Sequence, residues 1–211
     1  MIVIINPNST TSMTQTMLAT AKKARPLSQI EAWTSHDGPA AIQGPEDGEA
    51  CVPPLLELVA KASDQGARTI IIGCADDTGL AEARKQATCP VIGIGQAGYH
   101  MATLAGPRFS VVTTVPEAVP VLTRNIERYG LSRHLAKVRA ADVPVLALET
   151  DPEASANRVL QAIKQAQEED AVQSVVLGCA GMSHIPACAG PDIKIRLIDG
   201  LRAAIRIGVM L

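Results

Sequence analysis

The sequence predicts an α/β fold of two pseudo-twofold-related halves, with mainly parallel sheets flanked by helices and a site in the cleft between them. Three observations carry this reading. Short runs rich in Val and Ile alternate with longer helical stretches along all 211 residues. Several runs, such as Ile2–Ile5 and Thr69–Gly73, show no apolar–polar alternation, which is how strands buried on both faces of a parallel sheet read. Three strand ends also recur at one spacing: Asn8 to Thr113, Cys74 to Cys179 and Gly95 to Gly200 are each 105 residues apart. The simplest division is a first half over 1–105 and a second over 106–211, with the last helix free to pack back on the first half.

The expected strands are Ile2–Ile5, Ile30–Trp33, Thr69–Gly73, Val91–Ile94, Phe109–Thr113, Val143–Leu148, Ser174–Gly178 and Ile193–Ile198. Helices are expected over Ser9–Lys23, Gly48–Gln65, Gly79–Ala87, Gly95–Leu104, Pro116–Tyr129, Pro152–Glu168 and Leu201–Met210. Pro116 and Pro152 sit near helix starts, where a missing N–H costs little. Ser9 and Asp151 are candidate N-caps. Strand–helix alternation implies right-handed crossovers, and an open α/β sheet binds its ligand at the carboxyl ends of its strands.

Composition excludes several classes. With 2% aromatic residues and a net charge of −2, the chain lacks both the stacking faces and the basic surface of a nucleic-acid binder. No run of about 18 apolar residues predicts a membrane span. The opening MIVIINPN reads as a strand and not as a signal peptide. Five cysteines without regular spacing do not form a disulfide framework, and none is spaced as CxxC. Free thiols in a reducing cytoplasm are expected.

The chemistry points to two of those cysteines. Cys74 and Cys179 each end an apolar strand after a glycine and precede a turn. Related by a pseudo-twofold, they would face each other across the cleft. A racemase needs this: one group removes a proton from one face of a carbon acid, and its partner returns one to the other. A thiol beside a helix N-terminus is expected to have a lowered pKa, and turn N–H groups are expected to stabilise an enolate oxygen. Cys51, Cys89 and Cys188 have no symmetry mates and read as structural.

The motifs IINPNST, GPAAIQG, GCADDTGL, PVIGIGQAGYHMA, RFSVVTT, LGCAGM and IDG occur in this order along nearly the whole chain. In these the sequence resembles the hydantoin and allantoin racemases of the aspartate/glutamate racemase superfamily. The resemblance implies a two-base racemase of 5-substituted hydantoins without metal or organic cofactor, assembled as a homo-oligomer of four or more subunits. It implies Cys74 and Cys179 as the acid/base pair. Asn8, Thr113 and Thr114 would hydrogen-bond the substrate, and Ala180, Gly181 and Met182 would line its pocket. Where the family commonly reads CFDDPGL, this chain has Cys74-Ala75-Asp76-Asp77-Thr78-Gly79-Leu80. Ala75 would leave room for a bulky 5-substituent.

Other residues near these motifs have plainer readings. Asp77 reads as a helix cap, whereas Asp76 either binds a substrate N–H or orients its loop. His184 reads as a supporting group near the cleft. Allantoin and amino acids are alternative substrates, but an amino-acid carboxylate wants a cation, and no Lys or Arg stands close to either cysteine. A ligand-binding module on the same two-half plan would have no reason to place thiols on both faces of its ligand.

Overall fold

The computed structural model describes residues 1–211. Two four-stranded parallel sheets make up its frame. The first contains β1 (Ile2–Asn6), β2 (Ile30–Thr34), β3 (Thr69–Ile72) and β4 (Val91–Gly93), in the order β2-β1-β3-β4. The second contains β5 (Phe109–Thr113), β6 (Leu135–Ala140), β7 (Ser174–Leu177) and β8 (Arg196–Asp199), in the order β6-β5-β7-β8. The central strands β1, β3, β5 and β7 are buried at every position, as their unbroken apolar runs require.

Around the sheets lie α1 (Thr11–Ala24), α2 (Pro45–Asp64), α3 (Leu80–Gln86), α4 (Ile94–Ala105), α5 (Ala118–Arg128), α6 (Ala147–Thr150), α7 (Pro152–Glu169), α8 (Ile185–Cys188) and α9 (Gly200–Met210). The expected helices are found with their ends shifted by a few residues. Asp151 caps α7, its carboxylate accepting from the Ala154 N–H at 3.3 Å. Ser9 is not a cap: the residue before α1 is Thr10, and its side chain bonds Ala40 O instead.

One strand was misplaced by the pattern. Val143–Leu148 is a loop running into α6, and the strand is Leu135–Ala140. As an edge strand, β6 buries only Val138 and Arg139, so it carries little apolar signal. Val143, Val145 and Leu148 are apolar because their loop packs into the molecule, and Pro144 cannot extend a ladder.

Register corrects the spacing of the repeat. Ile5 pairs with Ile72, and Val112 with Leu177. The equivalent of Thr113 is therefore Asn6, not Asn8. Ile72 pairs with Gly93, and Leu177 with Asp199, so Gly200 corresponds to Ile94 and not to Gly95. Cys74 and Cys179 remain equivalent, each two residues beyond its paired strand.

The last helix of each sheet's sequence crosses to the other sheet. α4 lies against β7 and β8, while α9 lies against β3 and β4. Thr69 Oγ1 on β3 donates to Gly208 O on α9 at 3.1 Å. α4 and α9 cross closely: a Cβ on Gly200 would fall 2.2 Å from Ile94 O. The largest core cluster, with Ile71, Tyr99, Phe109, Val176 and Ile205, is built across this junction.

Candidate active site

In each sheet the chain leaves the first strand toward one edge and returns to fill the other side. The crossovers therefore diverge between β1 and β3, and between β5 and β7. Such switch points leave a crevice at the strand ends, and the two cysteines stand there. Gly73 N donates to Ile5 O at 2.8 Å and Gly178 N to Val112 O at 2.8 Å, so each glycine prolongs the ladder by one step. A Cβ on Gly73 would lie 2.6 Å from Met17 Sδ, and one on Gly178 3.0 Å from Thr113 Cβ. Glycine lets the strand end sit this close to its neighbours without displacing them.

The turns after the cysteines match. Asp77 N donates to Cys74 O and Met182 N to Cys179 O, both at 3.1 Å. The Asp76 N–H beside Cys74 and the Gly181 N–H beside Cys179 each favour the ionised sulfur.

One small pocket, a cavity of about 30 Å³, has both cysteines in its wall. Asn8, Ala75, Asp76, Thr114 and Ala180 join them there. The structure does not bring Thr113, Gly181 or Met182 into this wall. Thr113 Oγ1 is turned to Gly178 O at 3.1 Å, which ties β5 to the strand end bearing Cys179. Gly181 borders a neighbouring cavity with Ser12, Glu149 and His184. Met182 is fully buried in the core around α7.

Sequence reasoning missed Met13, Met17, Ile42, Ala118 and Val145, which complete much of the wall. Ile42 belongs to the GPAAIQG motif, the one available signal. Val145 lies in the segment whose strand was misplaced. These two loops meet: the Val145 N–H donates to Gln43 Oε1 at 2.8 Å. A second tie joins Ser12 on α1 to Glu149 on α6.

Both cysteines are mostly buried, and desolvation dominates their ionisation. It pushes Cys179 up to about 11 and Cys74 well above the usual thiol range. The nearby Asp76 carboxylate raises both further, and the turn N–H groups offset only part. The expected lowering by a helix N-terminus is thus overturned in the empty pocket. Burial also pushes Asp76 up to about 7. Asn125 Nδ2 holds the Asp76 backbone carbonyl at 2.6 Å, fixing its turn against α5.

Asp77 is a cap, but for a different helix than its sequence neighbour. Its carboxylate accepts from Gly95 N at 2.9 Å, Gln96 N at 2.7 Å and Tyr129 Oη at 2.8 Å. It closes the N-terminus of α4 and faces away from the thiols' pocket. His184 Nδ1 lies 3.0 Å from Gly181 O, so the ring supports the turn after Cys179. No cluster of three His, Cys, Asp or Glu side chains stands close enough to hold a metal ion, and no helix is long and apolar enough to cross a membrane.

The Asp/Glu/hydantoin racemase family model matches residues 2–208. The chain belongs to this family. It is an isomerase of the racemase kind. Racemases of the family with similar sequences include the hydantoin racemase of Rhizobium meliloti, 41% identical over 96% of this chain and 85% of that protein. The hydantoin racemase of Pseudomonas sp. (strain NS671) is 34% identical over 96% of this chain and 82% of its own. Among solved structures, allantoin racemase from Klebsiella pneumoniae superposes with a TM-score of 0.95 at 34% identity, covering all of this racemase and 86% of that chain.

Proposed function

We propose that this racemase inverts C5 of 5-substituted hydantoins by a two-base mechanism, with Cys74 and Cys179 as the acid/base pair and no metal or organic cofactor. The carrying observation is that two thiols in equivalent turns line one pocket. The thiolate of one takes the C5 proton, and the electron pair left behind delocalises onto the adjacent ring carbonyl. The thiol of the other gives its proton to the opposite face. The opposite enantiomer runs the same steps with the roles exchanged. The Asp76 and Gly181 N–H groups stabilise whichever sulfur carries the charge.

The pocket also argues for a neutral ring. Besides the thiols its only ionisable lining group is Asp76, which repels an amino-acid carboxylate. Arg84, the first cation after Cys74 in sequence, is turned to Val91 O and Gln96 Oε1. Most of the wall is apolar, including Met13, Met17, Ile42 and Val145, which suits a hydrocarbon 5-substituent better than the polar ureido group of allantoin. Ala75, 4% exposed, leaves that wall shallow where a larger residue would fill it.

A cytoplasmic homo-oligomer is the setting we infer. Five free cysteines fit a reducing compartment, and the oligomer is carried over from the resemblance to the family.

The test incubates each enantiomer of 5-benzylhydantoin, 5-methylhydantoin, allantoin, aspartate and glutamate with the enzyme in D2O. Optical rotation and deuterium at the α-carbon are followed for wild type, Cys74→Ser and Cys179→Ser. The reading expects the hydantoins to racemise without added cofactor, and each variant to lose about 10²- to 10⁴-fold. Full activity in either variant would sink the two-base assignment. Binding without exchange in wild type would make the chain a ligand-binding module.

A further inference from the structure

Asp76 stands apart from every other acid in the molecule. It is 9% exposed, yet its carboxylate accepts no hydrogen bond, and burial alone acts on its ionisation. Asp77, its equally buried neighbour, accepts three, and Asp170 is held by Arg139 and Ser110. A buried carboxylate without a donor is costly to keep. Its site therefore lacks a donor that a ligand can bring.

Its position says which donor. Asp76 stands between the pocket of both cysteines and the neighbouring cavity bordered by Gly48, Arg124 and Asn125, and among charged groups it acts most strongly on each of the two sulfurs. The carboxylate is thus near both sulfurs, between which the reacting carbon is to be held. In a hydantoin that carbon is bonded to N1 on one side and to the C4 carbonyl on the other. A carboxylate repels the carbonyl oxygen and accepts the N–H. N3, which lies between the two carbonyls, is one atom further round the ring.

Building on the two-base reading of the same pocket, we infer that Asp76 is the ring anchor: it accepts a hydrogen bond from N1–H and so selects cyclic ureides carrying a free N–H next to the reacting carbon. The bond orients the ring with C5 toward both thiols, and the same charge turns away carboxylate substrates. Asn125 supports this indirectly by holding the Asp76 carbonyl.

The experiment crosses enzyme variants with methylated substrates. Wild type, Asp76→Asn and Asp76→Ala are assayed on 5-benzylhydantoin and on its N1-methyl and N3-methyl derivatives, reading kcat/KM. In wild type N1-methylation should cost about 10- to 100-fold, the range of a hydrogen bond to a charged group, and N3-methylation little. Asp76→Ala should be weak on the parent and nearly indifferent to N1-methylation. Asp76→Asn, which keeps a carbonyl acceptor of the same shape, should recover part of the rate and keep the N1-methyl penalty. Loss of all substrates equally by Asp76→Ala, with the N1-methyl penalty unchanged, would make Asp76 merely structural and overturn the inference. So would a penalty for N3-methylation alone. A wild-type enzyme that racemises the parent but ignores N1-methylation refutes the anchor and leaves the two-base reading standing. One that leaves the parent untouched refutes both.

Discussion

Alkylation of Cys179 offers a direct reading of how burial governs the proposed acid/base pair. The perturbation is pH, applied to the ligand-free enzyme. At about pH 8 an ordinary thiol with a pKa near 8.5 is about one-quarter ionised, whereas one pushed up to about 11, as Cys179 is, is ionised to about one part in a thousand. The thiolate population is lower by about 200-fold, and only the thiolate attacks iodoacetamide, so Cys179 should be modified well over tenfold more slowly than a free cysteine even though a more basic thiolate is the better nucleophile. Steric shielding would slow the reaction too, but by a factor that pH does not change. The assay is therefore the slope: peptide mapping of carboxamidomethyl-Cys179 against time, from about pH 7 to 10, with the wild-type protein. The logarithm of the rate should climb by about one per pH unit across the range without levelling. A rate that levels off below pH 9 would show a thiol in the usual range or below it, and would refute the claim that desolvation outweighs the Gly181 N–H.

Three further outcomes follow from other parts of the molecule. Arg139 and Asp170, each with a side chain only 6% exposed, form a buried pair; Arg139→Met strands the carboxylate and should cost about 3–5 kcal/mol in urea unfolding. Burial raises Asp170, but its bonds to Arg139 and Ser110 win and hold it below the usual range. The stability it contributes is accordingly full above the unfolded carboxyl value and lost as pH falls through the folded one, a loss that Arg139→Met should abolish. Gly200→Ala would put a Cβ 2.2 Å from Ile94 O, forcing α4 and α9 apart; a cost of about 1–3 kcal/mol is expected, and an unchanged melting temperature would contradict the packing. Gln43→Ala removes the acceptor of the Val145 N–H and should speed alkylation of Cys74 and Cys179 severalfold at constant pH, because the two loops over the pocket come untied; an unaltered rate would mean that tie does not control access.

Central strands were legible because burial on both faces leaves an unbroken apolar run, and the four innermost strands all read that way. The edge strand β6 was not, since Leu135–Ala140 buries few side chains, and the apolar loop after it imitated a strand. The thiol pair was legible through its repeat, because the same glycine-cysteine turn is built twice. The flanking equivalences slipped by one or two residues, as a ladder counts residues within each strand and the connecting turns differ in length. Much of the pocket wall was not legible: Met13 and Met17 lie on α1, where an apolar side chain facing the site looks like any other core residue. Asp77 was recognised as a cap, but its helix lies across the chain at Gly95 and Gln96, a contact that only tertiary structure sets. The ionisation was misjudged for a related reason. A helix N-terminus shows in sequence as a turn, whereas desolvation depends on what Ile42 and Val145 bring over the sulfurs from two distant loops.

Burial of this kind bears on how a two-thiol pair would work. A pair poised as two thiolates has no acid to return the proton, and a pair of thiols has no base. With Cys179 raised to about 11 and Cys74 well above its usual range, burial keeps both mostly protonated near neutral pH and slow toward oxidants and alkylating agents. The Asp76 carboxylate contributes to that state by raising both sulfurs. A ring N–H bonded to Asp76 would spread that charge over donor and acceptor and lessen its effect on the sulfurs. Desolvation remains the larger cause for both sulfurs, so such a bond relieves only the part of the rise that Asp76 contributes.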